Sequence, residues 1–162
     1  MNNWYPFTFV SSQTISTDLA QGWTWFAPTV QTSIEAIQTA LGGAYVQILA
    51  KNGTPSGDII PGEMYGIQTN APCTLAVTGA PITTATIAIN RGENWFGYIG
   101  TEKTVTDAFE GFTPAEGDKV VSQNDGFAIY ENGAWVGTLG TLQPGKGYVY
   151  VSKDAGTKTL TL

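Results

Sequence analysis

The sequence predicts a β-dominated α+β fold in which two pseudo-repeats, each a strand, a short helix and further strands, merge into one compact unit. Three observations predict it. A tryptophan motif occurs twice: Gln21-Gly22-Trp23-Thr24-Trp25-Phe26 returns as Arg91-Gly92-Glu93-Asn94-Trp95-Phe96, with Gly22 and Gly92 70 residues apart, a spacing typical of repeat units. A Pro-Gly-x-x-Tyr motif also recurs, as Pro61-Gly62-Glu63-Met64-Tyr65 and Pro144-Gly145-Lys146-Gly147-Tyr148. Finally, β-prone runs bounded by Gly, Asn and Pro turns outnumber two short helix-like stretches. The whole chain, 1–162, is read as a single module with internal repeats at about 15–80 and 84–162.

The elements follow in order. Tyr5, Phe7 and Phe9 alternate with Pro6, Thr8 and Val10, the period-two signature of a half-buried strand. Residues 15–20 form a second expected strand, and residues 23–28 a central one, apolar on both faces. Thr32-Ser33-Ile34-Glu35 carries a capping-box pattern, with Ile34, Ile37 and Leu41 on one stripe and Gly42-Gly43 as the stop. Thr104-Val105-Thr106-Asp107 repeats that device ahead of Ala108, Phe109 and Phe112. Both helices should run two to three turns, too short to stand without a sheet beneath them. A strand follows each, at 45–50 and 119–123, and ends in the turns Lys51-Asn52-Gly53 and Asn124-Asp125-Gly126. The halves then diverge, because residues 127–139 are an insertion built around Asn132-Gly133, a strong type I′ hairpin signal. Each half closes with two β runs, at 65–69 and 74–78, and at 148–152 and 157–162.

Composition narrows the functional classes. Apolar residues make up 42% of the chain but charged ones only 12%, about half the usual share. Thr, Gly, Ser, Asn and Gln supply the remaining polarity, a mixture common in β-rich secreted, surface or virion proteins. The net charge of −6 rests on seven scattered basic residues against thirteen acidic ones, so neither nucleic acid nor an anionic membrane is an expected partner. The single cysteine, Cys73, excludes an intrachain disulfide and sits in a β run as an expected buried thiol. Met1-Asn2-Asn3-Trp4 lacks the basic and apolar regions of a secretory leader. Export of such a module is therefore expected to be encoded outside this stretch.

The motifs also carry a resemblance. Residues 92–98, 117–123, 127–139 and 142–148 combine Gly-x-x-Trp-Phe, a Gly-Asp-x-Val-x-Ser-Gln strand, a Phe-Ala-x-Tyr-x-x-Gly-x-Trp-x-Gly-x-Leu hairpin and Leu-x-Pro-Gly-x-Gly-Tyr. This set resembles tandem repeat modules of secreted or surface proteins of gut and rumen Bacteroidetes, some attached to polysaccharide-degrading enzymes. The first half matches more loosely, through residues 22–26 and 61–65, and lacks the tryptophan hairpin. The resemblance implies an accessory module outside the cell and brings no binding residues with it.

Catalysis is not expected. The chain has no histidine, which removes the commonest general base and metal ligand, and with it a Ser-His-Asp triad or a His-containing zinc site. Asp18, Asp58, Glu93, Glu116 and Asp118 mostly neighbour Gly or Pro, as solvated turn residues do. No cofactor or metal is implied. The aromatic residues are the better lead, since the CH-rich faces of sugars stack on indole and phenol rings while amides and carboxylates orient their hydroxyls. Trp25 and Trp95, Phe26 and Phe96, and Tyr65 and Tyr148 recur in both halves and are read as scaffold. Trp135, Tyr130, Trp23 and Trp4 are unrepeated, and they are the candidate ligand-binding residues. A type I′ turn at Asn132-Gly133 sets Tyr130 opposite Trp135, beside small Ala128 and Gly137. The opposite hairpin face, Phe127, Ile129, Glu131, Ala134, Val136 and Thr138, is expected to be the mostly buried one.

These observations lead to a non-catalytic, secreted or surface-displayed module that binds a polysaccharide by aromatic stacking, carried by a larger parent enzyme or surface protein. The alternative is a structural or adhesive protein-interaction module, such as a surface appendage or phage virion component.

Overall fold

The computed structural model describes residues 11–162, so the expected aromatic strand at 5–10 and the candidate Trp4 lie outside the described residues. The first half contains β1 (Gln13–Leu19), β2 (Gly22–Phe26), α1 (Ile34–Leu41), β3 (Tyr45–Leu49), β4 (Tyr65–Thr69) and β5 (Cys73–Gly79). The second contains β6 (Thr86–Ile89), β7 (Gly92–Gly97), β8 (Lys103–Thr104), α2 (Val105–Ala108) and β9 (Lys119–Ser122). It continues with β10 (Phe127–Glu131), β11 (Ala134–Gly137), β12 (Thr141–Leu142), β13 (Gly147–Ser152) and β14 (Lys158–Thr161). The fold is β-dominated α+β, as expected.

The pairing pattern is duplicated along with the motifs. Strands β2-β4-β3 form one antiparallel sheet and β7-β13-β9 repeat its order, while β1 pairs with β5 as β6 pairs with β14. Phe26 stands opposite Tyr65, and Phe96 opposite Tyr148. Each Pro-Gly forms a turn with the glycine at positive φ, 83° at Gly62 and 85° at Gly145, where a side chain would be strained. The tyrosine of each motif then reaches back to that turn. The Tyr65 hydroxyl accepts the Ile60 N–H and the Tyr148 hydroxyl accepts the Gln143 N–H, both at 2.9 Å. The motif is therefore repeated because it closes a turn onto the strand that follows.

The helices differ from expectation. Ser33 caps α1 by accepting the Ala36 N–H at 3.1 Å, and Ile34, Ile37 and Leu41 are buried as the stripe predicted. The cap is thus one residue later than Thr32, where the expected box would place it, and Glu35 takes another partner. Its carboxylate accepts the Gly57 N–H at 3.0 Å and pins the loop that follows β3. Thr104 caps α2 in the same manner, yet α2 is a single four-residue turn instead of two or three. Rings take over where its further turns would lie, with Phe109 5.3 Å from Trp135, 5.6 Å from Tyr150 and 6.1 Å from Phe96.

That substitution reverses the expected faces of the hairpin. The register is the predicted one, Tyr130 opposite Trp135 and Ile129 opposite Val136, with Asn132 and Gly133 both at positive φ. Ala128 is buried, and Trp135 packs against the core of the second half. Phe127 and Val136, placed on the inner face by the sequence reading, are 43% and 45% exposed. Both faces carry apolar residues, so alternation alone could not orient them; the shortness of α2 leaves a flank that Trp135 fills.

Two cores centre on the two halves, with Ala85 and Ile99 of the second packed into the first and Leu162 touching both. The first is mainly aliphatic, built on Ile34, Ile37, Ile48, Ile67 and Leu75, and Cys73 packs partly buried at its edge. The second is aromatic, built on Phe96, Phe109, Tyr148 and Tyr150. Asp118 is fully buried beneath it. It accepts bonds from the Tyr150 hydroxyl at 2.5 Å, the Lys153 N–H at 2.6 Å and the Ala115 N–H at 2.9 Å.

The halves meet across an internal pseudo-two-fold. The Ala27 N–H donates to the Gly145 carbonyl at 2.9 Å, and its counterpart Gly97 donates to the Gly62 carbonyl at 2.7 Å. A Cβ at Gly97 would lie 2.4 Å from the Ala27 Cβ and 2.6 Å from the Glu63 carbonyl oxygen, so the seam needs glycine there. Strand β2 is consequently not central. It is a sheet edge, and its outer groups are met by the other half.

Candidate functional site

Reciprocal contacts across the seam leave a groove on each side of it. Strand β9 ends one residue before Gln123, whose amide grips the edge of β2. Its Oε1 accepts the Trp25 N–H and its Nε2 donates to the Trp23 carbonyl, both at 2.8 Å. The registers make Lys51 the counterpart of Gln123 and Glu93 the counterpart of Trp23. Accordingly the Lys51 ammonium donates to the Glu93 carbonyl. An exposed edge strand invites unwanted pairing. Here a side chain from the opposite half occupies each edge.

The larger groove, about 590 Å³, lies between the turn after β3, the loop at 54–58, the Pro61-Gly62 turn and strands β6 and β7. Its first wall is held rigidly. Ala50 and Gly53 exchange backbone bonds at 2.8 and 3.1 Å, which closes the Lys51-Asn52-Gly53 turn. Glu35 and the Ile34 N–H both hold Gly57, and the Ile59 N–H donates to the Thr32 carbonyl at 3.0 Å. The Gly57 N–H keeps the Glu35 carboxyl below its ordinary range. Exposed Asn52, Ser56 and Asp58 therefore sit on a fixed rim, and their side chains make no hydrogen bond to the described residues.

The second wall carries Trp95, half-buried on β7. Its neighbour Asn94 is fully committed to the backbone. The Asn94 Oδ1 accepts the Asn90 N–H at 2.9 Å, and its Nδ2 donates to the Asn90, Gly92 and Tyr150 carbonyls at 2.7, 3.0 and 3.2 Å. That clip fixes the strand that presents the indole. At the floor, burial pushes the Tyr65 phenol above its ordinary pKa, with Glu63 nearby adding to the rise, so the hydroxyl stays neutral.

The smaller groove, about 330 Å³, is the pseudo-symmetric partner of the first. Trp23 and Trp25 line one side, and Gln123, Asn124, Asp125 and Lys146 the other. Trp23 is 41% exposed, and its ring lies over Gly66, whose added Cβ would sit 3.4 Å from the indole. The Asp125 carboxylate receives the Lys146 ammonium at 3.1 Å, which holds the carboxyl below its usual range.

The four candidates from the sequence thus part company. Trp23 lines the smaller groove. Trp135 and Tyr130 lie 5.4 Å apart as the hairpin register required, but Trp135 is engaged with Phe109 and Tyr150 and does not form an outward platform. Trp4 falls outside the described residues. Trp25 and Trp95, read as scaffold because they recur, line the two grooves. Sequence reasoning missed them through the assumption that duplicated residues serve folding alone. A duplicated site repeats its residues as well. The recurring turns Asn52-Gly53 and Asn124-Asp125-Gly126 were the signal that pointed there.

Among the described residues, no group of three His, Cys, Asp or Glu side chains could hold a metal ion, and no helix is long and apolar enough to cross a membrane. No family model matches the chain, and neither a curated protein nor a solved structure matches it.

Proposed function

We propose that the protein is a non-catalytic polysaccharide-binding module, secreted or displayed at a cell surface, that holds its ligand in the larger groove. The observation that carries this reading is Trp95 on a rigid wall facing a rim of Asn52, Ser56 and Asp58 across about 590 Å³. An indole offers a flat apolar face to the CH groups of a pyranose, and short polar side chains on the opposite rim meet its hydroxyls. The resemblance of the second half to modules carried by polysaccharide-degrading enzymes agrees in direction, with the parent enzyme or surface protein as the expected neighbour.

Affinity electrophoresis in gels containing neutral plant or host polysaccharides tests it. At least one polymer should retard the wild type, and Trp95→Ala should weaken that interaction about tenfold, the loss of one stacking contact. Circular dichroism would establish that the variant is folded. A reducing-end assay on the same polymers reads the enzymatic alternative, since release of sugar would overturn the non-catalytic reading.

A second reading has its own observation. Phe127, Val121, Val149 and Trp95 form one row across the outer face of the five-stranded sheet, with Val136, Ile129, Lys119, Val151 and Glu93 in the next. Exposed Phe127 and Val136 at its margin suit a structural or adhesive contact with protein. Failure of every glycan to bind would favour that reading.

A further inference from the structure

The smaller groove is more than a by-product of the duplication. It repeats the wall of the larger one, with Trp25 in the place of Trp95 and the Gln123–Asn124 turn in the place of Lys51–Asn52. It also adds an indole that the larger groove lacks, because Trp23 occupies the position of Glu93. Trp23 is open to solvent and supported from beneath by Gly66. Its rim offers Asn124, whose side chain makes no hydrogen bond to the described residues.

The charges lining the two grooves point to one class of sugar. In the smaller groove, Lys146 neutralises Asp125, and Asp18 accepts a bond from the Thr74 hydroxyl at 2.7 Å. In the larger, Lys51 is engaged with the Glu93 carbonyl while Asp58 and Glu63 add negative charge. Each lining thus carries two carboxylates against one ammonium, in a molecule of net charge −6. A uronate or sulfated polymer would be repelled from both, and a neutral one admitted.

We infer that the smaller groove is a second saccharide site, so that one molecule engages two segments of neutral polysaccharide, on one chain or on two. This inference rests on the saccharide reading of the larger groove and extends it. Two linked sites raise the effective affinity for a polymer on the order of 10²-fold over a short oligosaccharide without any new contact.

Titration calorimetry of the whole chain with soluble gluco-, xylo- and manno-oligosaccharides tests it, with oligogalacturonate as the charged control. The expected result is two sites for a neutral oligosaccharide and none for the uronate. Trp23→Ala should remove one site and leave the other, and Trp95→Ala should do the converse. Asn124→Arg, in an exposed turn, should block the smaller groove without touching any core residue. A single wild-type site that Trp95→Ala abolishes and both Trp23→Ala and Asn124→Arg leave intact would overturn the second site and keep the first. Preference for the uronate would overturn the assignment to neutral sugars. Absence of binding to every oligosaccharide and polymer would overturn the saccharide reading itself.

Discussion

At the scale of single residues, the repeated tyrosines show how a side chain fixes the backbone around it. Tyr65 and Tyr148 are almost wholly buried, and each hydroxyl satisfies a backbone N–H five residues earlier. Removing the hydroxyl leaves that part-buried N–H without its protein partner. Tyr148→Phe should therefore cost about 1–2 kcal/mol, and Tyr65→Phe a similar amount. Urea unfolding of the two variants reads both values; equal losses would mean that the duplicated turn does the same job twice, and no loss would mean that the hydroxyls find water instead. The motif was visible in the sequence, but the bond that explains it was not. Spacing says that a tyrosine recurs after Pro-Gly, and only the backtracking chain shows where its oxygen goes.

At the scale of elements, the β10-β11 hairpin is the clearest case of a local structure read correctly and oriented wrongly. Asn132-Gly133 dictated the turn, and the turn dictated the register. Which face turned inward depended on α2, a single turn that leaves the second core to be closed by Trp135 and Phe109. Trp135→Ala should accordingly cost about 2–3 kcal/mol of folding stability, with unchanged affinity for any glycan. Val136→Thr, on the exposed face, should stay within about 0.5 kcal/mol of the wild type. Thermal denaturation of the pair distinguishes the faces, and a neutral Trp135→Ala would restore the outward platform that the sequence suggested.

At the scale of the whole molecule, the absence of histidine shapes the response to pH. Glu35, Asp125 and Asp154 sit below their ordinary carboxyl values, through the Gly57 N–H, the Lys146 ammonium and the Lys158 ammonium respectively. Groups depressed in the folded state stabilise it above their unfolded pKa values, 3.8 for Asp and 4.5 for Glu, and that contribution is lost as pH falls below those values through the lower folded ones. Burial raises Tyr65, Tyr98, Tyr148 and Tyr150 above 10.0. Their neutral forms favour the fold at lower pH, and that advantage disappears as pH climbs past 10.0. Melting temperature should be flat between about pH 5 and 9 and fall on both sides. Tyrosinate absorbance should rise together with unfolding at the alkaline edge, and a steep slope near neutrality would contradict this account.

The sequence by itself determined the duplication, the β-dominated class, the Thr104 cap of the second helix and the hairpin register, because each rests on residue patterns legible along the chain. Turn chemistry and side-chain periodicity act over a few bonds, and a linear reading captures them. Tertiary structure alone decided that Gly97 would lie against Ala27, that Gln123 would clip the edge of β2, and that Trp135 would turn inward while Trp23 and Trp95 lined grooves. Those outcomes depend on how separate segments, and the two halves themselves, close on each other, where volume and unpaired backbone groups must be satisfied jointly by residues distant along the chain.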